Sequence, residues 1–357
     1  MSDAPKRLLA SLDASLAMLD RPSGSAQHGG AEPSLVERVS DSKRLEALNF
    51  SDLYINLSET DDAPHYRIGP NVQGHTGLAK VPAGYDDDIV YLRNLITKQD
   101  RDSDILDVGN IRLRYMRARM ADGHERAAIR KIPLGIPKLS GLSMATEALK
   151  VLRQWGYSRG IVAIGGATGA GKTTTAVALI HEYLEKLGGK AVTIEDPPEY
   201  LLQGWVGARG GHCDQIQIHG DEEWKQAVNI ALRWRPRYIL FGEIRTPEAA
   251  VQALRASTSG HLVIATVHGG SVDESLGALL RLAEVEMGEG ARKLLAGNLL
   301  GVVHQTLRKE GPHLNVLSIA RGGSEEAQIR GHLKDAGATL IASYVKQYPP
   351  DGVAAQP

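Results

Sequence analysis

The sequence predicts an α/β chain in two parts. A mostly parallel sheet covered by helices is expected over residues 144–345, preceded by a smaller α+β unit over residues 36–131. Three observations carry this. Uninterrupted apolar runs, "IVAIGG", "KAVTIED", "RYILFGE" and "HLVIATVH", recur after Leu142 and read as strands buried on both faces. Helical stretches such as "TTAVALIHEYLEKLGG" and "PEAAVQALRAS" fall between them. Upstream, "DLYINL", "HYRIG" and "IRLRYMRAR" place polar residues at alternate positions, the pattern of half-buried strands.

Residues 1–35 read as a flexible extension. Leu8, Leu12, Leu16 and Leu19 fit one face of a short amphipathic helix that docks on its own protein, a partner or a membrane surface. Asp13 breaks the apolar run, which argues against a signal peptide. "RPSGSAQHGGAEPS" then has linker composition. Between the two units "IPLGIPKLSGLS", residues 132–143, carries two prolines and two glycines and is expected to be a flexible hinge. The last stretch, residues 346–357, is expected to be a loose tail.

Composition removes several function classes. The formal net charge of -1 gives no bulk basicity for nucleic acid or an anionic membrane. A single cysteine, Cys213, excludes a disulfide framework and a cysteine-rich zinc site, and fits a reducing cytoplasm. No apolar run reaches the ~20 residues of a membrane-spanning helix.

"GATGAGKT", from Gly166 to Thr173, has the phosphate-loop pattern G-x-x-x-x-G-K-[ST], with an apolar strand before it and a helix after it. Such glycines let successive backbone N–H groups turn toward a phosphate, and the following helix adds its positive end. Gly166, Ala167, Thr168, Gly169, Ala170, Gly171, Lys172, Thr173 and Thr174 are the expected ATP-binding residues. Lys172 is expected to reach the β- and γ-phosphates, and Thr173 to offer a hydroxyl to Mg²⁺.

Hydrolysis also needs carboxylates at strand ends. "TIEDPPEY" supplies Glu195, Asp196 and Glu199; "YILFGEIR" supplies Glu243, with glycine where an aspartate is usual. Glu199 is the candidate general base, and Glu243 the candidate acid on the metal side. His268, ending the strand of "HLVIATVH", is a candidate to sense the γ-phosphate or polarise water. A lone histidine is more often structural, and no second cluster of metal ligands accompanies it.

These elements, in this order, resemble the type II/type IV secretion ATPases. That family's Walker A box looks like "GATGAGKT", its Asp box like "TIEDPPEY", its atypical Walker B box like "LFGEIR" and its His box like "TSGHLVIATVH". The resemblance is specific over roughly residues 142–271 and weaker before them. It implies a RecA-like P-loop NTPase domain behind a PAS-like N-terminal domain, and a cytoplasmic homo-hexamer. It also implies inner-membrane platform proteins and other ATPases of the same machine as partners. By the same correspondence Arg114 in "IRLRYM" and Arg130 in "AAIRKIP" are inter-subunit arginines. Lacking the tetracysteine motif of the extension-type ATPases, the chain is left with the PilT-like retraction, DotB/TraJ-like and compact type IV secretion branches. "LRWRPRYILFGEIR", with "RP" before the strand, resembles the secretion and conjugation branches, the DotB/TraJ-like one foremost. The alternative is the PilT-like retraction branch, which commonly has aspartate where Thr246 stands. Two rivals belong to other classes. A RecA-like nucleic-acid motor would use "RWRPR", Arg233 to Arg237. A nucleotide-gated scaffold would bind without turnover.

Overall fold

The computed structural model describes residues 45–58, 63–68, 77–133, 135–335, 338 and 340–353. The expected extension, with its leucine helix and glycine-rich linker, lies outside these residues.

The first unit contains β1 (Phe50–Asn56), β2 (His65–Ile68), β3 (Leu78–Lys80), α1 (Asp86–Thr97), β4 (Ser103–Val108), β5 (Ile111–Arg119) and β6 (Glu125–Ile132). Its strands form an antiparallel sheet in the order β3-β2-β1-β6-β5-β4. Alternation decides which face is buried. Ile111, Leu113 and Tyr115 of β5 point into the core, where Ile89, Leu92 and Ile96 of α1 meet them at helical spacing. Arg112 and Arg114 take the opposite face. Arg114 pairs in register with Arg130 of β6, and Arg130 with Asp52 of β1, so the three form one row across the outer face.

The second unit runs α2 (Thr146–Trp155), β7 (Gly160–Gly165), α3 (Lys172–Leu187), β8 (Gly189–Glu195), β9 (Gly204–Val206), β10 (Gly211–Gln217) and α4 (Trp224–Arg233). It continues with β11 (Tyr238–Ile244), α5 (Pro247–Thr258), β12 (Leu262–Val267), α6 (Val272–Met287), α7 (Gly290–Asn298) and β13 (Leu299–Arg308). It closes with β14 (Gly311–Ser318), α8 (Glu326–Asp335) and β15 (Lys346–Tyr348). The sheet order is β15-β14-β13-β7-β12-β11-β8-β10-β9. Every pairing from β13 to β10 is parallel, and antiparallel strands extend both edges.

Both faces of this sheet are covered, so the strands read as apolar runs. Ile161 and Ala163 pack on one face with α4, α5, α6 and α7; Val162 and Ile164 pack on the other with α2 and α3. The chain turns from β7 into α3 at the C-terminal end of the parallel strands, where open α/β sheets carry their sites.

Two boundary segments are better anchored than their composition suggests. Within residues 132–143, Leu139 is fully buried and Ile136 and Leu142 pack beside it on the α2–α3 face. Part of the expected loose tail is anchored, residues 354–357 lying outside the described residues. Lys346–Tyr348 pairs with β14, and Asp351 accepts hydrogen bonds from the backbone N–H (3.1 Å) and hydroxyl (2.6 Å) of Thr146, capping α2. Prolines and polar residues read as coil, and the capping partner lies 205 positions away.

Candidate active site

The loop between β7 and α3 is built around glycines because Gln305 of β13 lies beneath it. A Cβ at Gly166 would stand 2.5 Å from the Gln305 carbonyl oxygen, and one at Gly171 would stand 2.9 Å from its Nε2. Both also have positive φ, 151° and 82°. Gln305 in turn accepts from the Thr175 hydroxyl (2.7 Å) and donates to the Ala170 carbonyl (2.6 Å), which ties loop and helix to the sheet. Ala167, Thr168 and Gly169 form the exposed crown of the loop, and Thr173 and Thr174 open the first turn of α3.

Lys172 is the buried cation of this loop, only 8% exposed. Its Nζ donates to the carbonyls of Gly166 and Ala167, both at 3.0 Å. Burial lowers its pKa; Glu243 and Glu199 oppose that shift and Arg245 reinforces it. Lys172 therefore feels both candidate acids, although β8 and β11 deliver them from separate parts of the sequence.

Glu243 sits at the end of β11 with both carboxylate oxygens engaged. Oε1 is 2.6 Å from His268 Nε2, and Oε2 accepts from Arg245 Nε at 2.7 Å and from the same guanidinium's Nη2. Arg245 is a site residue that the motifs do not name. The "EIR" spacing held the signal, since residues two apart on a strand share a face. His268 is not solitary; it is a partner of Glu243.

Glu199 lies in the loop after β8. Its side chain is 40% exposed, and its ion-pair partner is Arg114 of the first unit at 3.8 Å. Arg114 is thus at the candidate site of its own chain. It also opposes the burial that raises the pKa of Asp196. Arg130 is directed elsewhere: it is 64% exposed and donates to Asp52 at 2.9 Å. Two further contacts join the units on this side. Gln217 donates to Asp104 (2.6 Å), and Arg101 meets His219 (2.5 Å).

The glycine in place of the usual aspartate has a steric cause. Glu195 ends β8 fully buried beside β11, and a Cβ on Gly242 would stand 3.0 Å from its Cγ and 3.3 Å from its Cα. Desolvation raises the Glu195 pKa to about 7. An aspartate at half-buried position 242 would set a second carboxylate against buried Glu195. Gly242→Asp should cost about 3 kcal/mol of stability, read as a lower urea midpoint, and Gly242→Ala clearly less.

Within the "RWRPR" cluster, Arg237 has a structural task, while Arg233 and Arg235 are exposed. Arg237 donates to the carbonyls of Gly156 (3.1 Å) and Leu187 (3.5 Å), where α2 and α3 end. Among the described residues no group of three or more His, Cys, Asp and Glu side chains could hold a metal on its own. Mg²⁺ in nucleotide sites is commonly held by one or two protein oxygens and substrate phosphates. The Thr173 hydroxyl, next to Lys172, is one such donor. Glu243 Oε1, which has only the His268 contact, keeps a lone pair that a metal could take.

The family model for type II/IV secretion system proteins matches residues 102–336, more than half of the chain. The type II secretion system protein HxcR of Pseudomonas aeruginosa is 38% identical over 194 residues. That match covers 52% of this chain but 38% of HxcR, so the chain spans less than half the length of that relative. The fold is similar to that of the Legionella pneumophila ATPase DotB, with TM-score 0.64, 22% identity, and coverage of 84% of this chain and 86% of that one. It is equally similar to the pilus retraction motor PilT with bound ADP, with TM-score 0.65, 22% identity, and coverage of 87% and 89%. Phosphate loop, acids and histidine all fall inside the matched segment, and this chain belongs to the type II/IV secretion system protein family.

Proposed function

We propose that the chain is an ATPase, active as a homo-hexameric ring, that powers a secretion or conjugation machine at the cytoplasmic face of the inner membrane. The observation that carries this reading is the convergence of Lys172, Glu243 with His268 and Arg245, and Glu199 on one phosphate loop. Loop N–H groups and Lys172 would hold the phosphates of ATP, and Thr173 and Glu243 the Mg²⁺. Bound Mg²⁺ supplies charge neutralisation along the phosphates. Glu199 takes the proton of the attacking water, since its carboxylate is open and its nearest cation is distant. A scaffold that only binds nucleotide has no use for that base.

The first unit is read as PAS-like and the second as RecA-like. Because Leu139 is docked on the second unit, hinge motion would be confined to the start of residues 132–143. Platform proteins would tie the ring to the membrane; among the described residues no helix is long and apolar enough to cross one. The DotB/TraJ-like branch rests on "RP" before β11. Thr246 does not weigh against a PilT-like retraction role: it is the N-cap of α5, accepting from Ala249 N–H at 3.4 Å, a task aspartate performs equally.

Arg130 is the residue proposed to act in trans. Its exposed pair with Asp52 contributes little and is easily given up to a neighbour's phosphate. Arg130→Ala subunits should lose on the order of 10³-fold in rate. They should regain activity when mixed with Lys172→Ala subunits, because some interfaces then combine an intact loop with an intact arginine. The check is phosphate release against mixing ratio, after subunit exchange is shown by labelling. No rescue in proven mixed rings would reject a trans arginine.

A further inference from the structure

We infer that Gln215 is a positioning residue for Glu199, acting through the loop that follows β8. This rests on the assignment of Glu199 as the base and deepens it. Residues 196–203 form neither helix nor strand, so no ladder of backbone bonds fixes them. Side chains supply the missing bonds: buried Glu195 accepts from the backbone N–H of Glu199 itself, and Gln215 holds the residues that follow. The Gln215 amide oxygen accepts from the backbone N–H of Leu202 (2.6 Å) and Gln203 (2.9 Å). Its amide nitrogen donates to the Tyr200 carbonyl (3.0 Å) and to Glu195 Oε1 (3.1 Å).

A primary amide has two donor hydrogens and two acceptor lone pairs, and here all four are used. Gln203 completes the exchange, its Oε1 accepting from the Gln215 backbone N–H at 2.7 Å. The loop is fixed at its other end by the phosphate-loop helix: the Tyr200 hydroxyl and Thr174 Oγ1 are 2.9 Å apart. Glu199 immediately precedes Tyr200, the residue held from both sides. Among the described residues, its own carboxylate has only the 3.8 Å pair with Arg114, too long to orient it. The direction of the Glu199 side chain is therefore set by its backbone, which Glu195 holds directly and Gln215 holds through Tyr200 and through its own bond to Glu195.

No other residue type meets these demands. Glutamate would keep the two acceptors but lose both donors, and would set a carboxylate against buried Glu195. Leucine would keep the volume and lose all four bonds.

The test is a double-mutant cycle, since non-additivity is what separates action through Glu199 from general loosening. Gln215→Leu is made in the wild-type chain and in Glu199→Gln, and kcat, KM and fluorescent-ADP affinity are measured for all four full-length proteins. The expected result is a loss in kcat of about 10- to 100-fold in the wild-type background. KM and ADP affinity should stay within about threefold, and the loss in the Glu199→Gln background should be less than about twofold. An equal loss in both backgrounds would overturn the inference, as would unchanged kcat, or a loss of ADP affinity in step with rate. Should Gln215→Leu not fold, Gln215→Glu takes its place with the same expected pattern and the same overturning outcomes. Glu199→Gln alone keeps the two claims apart. Wild-type turnover there removes Glu199 as base, whereas stalled turnover with a purely additive cycle removes only Gln215.

Discussion

Lys172→Ala should reduce ATP turnover roughly 100-fold or more, to near background. The side chain is the one buried cation of the phosphate loop, and its ammonium is held on the loop by two carbonyls. Burial has already lowered its pKa, so much of its hydration was surrendered on folding. A phosphate oxygen reaching it meets a charge that water screens poorly. Removing it leaves the backbone N–H groups and the α3 terminus, so nucleotide affinity should fall only about 10- to 100-fold, the worth of one charged hydrogen bond of ~1.5–3 kcal/mol. Phosphate release and a fluorescent-ADP titration measure the two quantities separately. Wild-type hydrolysis by the purified variant would reject the phosphate-loop assignment, and with it the proposed activity.

How much of this was legible in the sequence depended on how each residue earns its place. The parallel strands β7, β8, β11 and β12 could be read because burial on both faces leaves an apolar run. β10 could not. Its pattern in "GHCDQIQ" is mixed, because it is a half-covered strand near the sheet edge whose polar side chains bind other loops. Gln215 and Gln217 look like surface residues until the partners 202–203 and 104 are placed beside them.

The site divides the same way. Lys172, Thr173 and the glycines form a contiguous pattern, whereas Gln305 comes from β13 and has no local signature. Gly242 looked like a lost aspartate. Its reason is Glu195, 47 positions earlier but one strand away. Arg114 shows the limit from the other side. The resemblance picked out the residue, but only the fold shows it resting against Glu199 of its own chain.

Glu199→Gln should stall hydrolysis while leaving Mg²⁺-dependent ATP binding intact. The two acids near Lys172 differ in what they have to spare. Both oxygens of Glu243 are taken, one by His268 and one by Arg245, and the side chain is 21% exposed. Glu199 is 40% exposed, and Arg114 stands 3.8 Å away. A base must be free to turn toward a water proton, and Glu199 is, whereas His268 and Arg245 hold the Glu243 carboxylate in place. The amide keeps the shape and removes the proton acceptor, so a loss of about 10²–10⁴ in kcat is expected. The fold should not suffer, since a long ion pair at this exposure is worth at most about 1 kcal/mol. Glu243→Gln should also slow turnover, but with a different signature. It takes away the charge that holds His268 and Arg245 and that faces Lys172, so the Mg²⁺ concentration for half-maximal rate should rise. The pair is decided by measuring kcat at saturating ATP across a Mg²⁺ titration for both variants. Normal turnover in Glu199→Gln, with turnover abolished in Glu243→Gln at every Mg²⁺ concentration, would transfer the base role to Glu243.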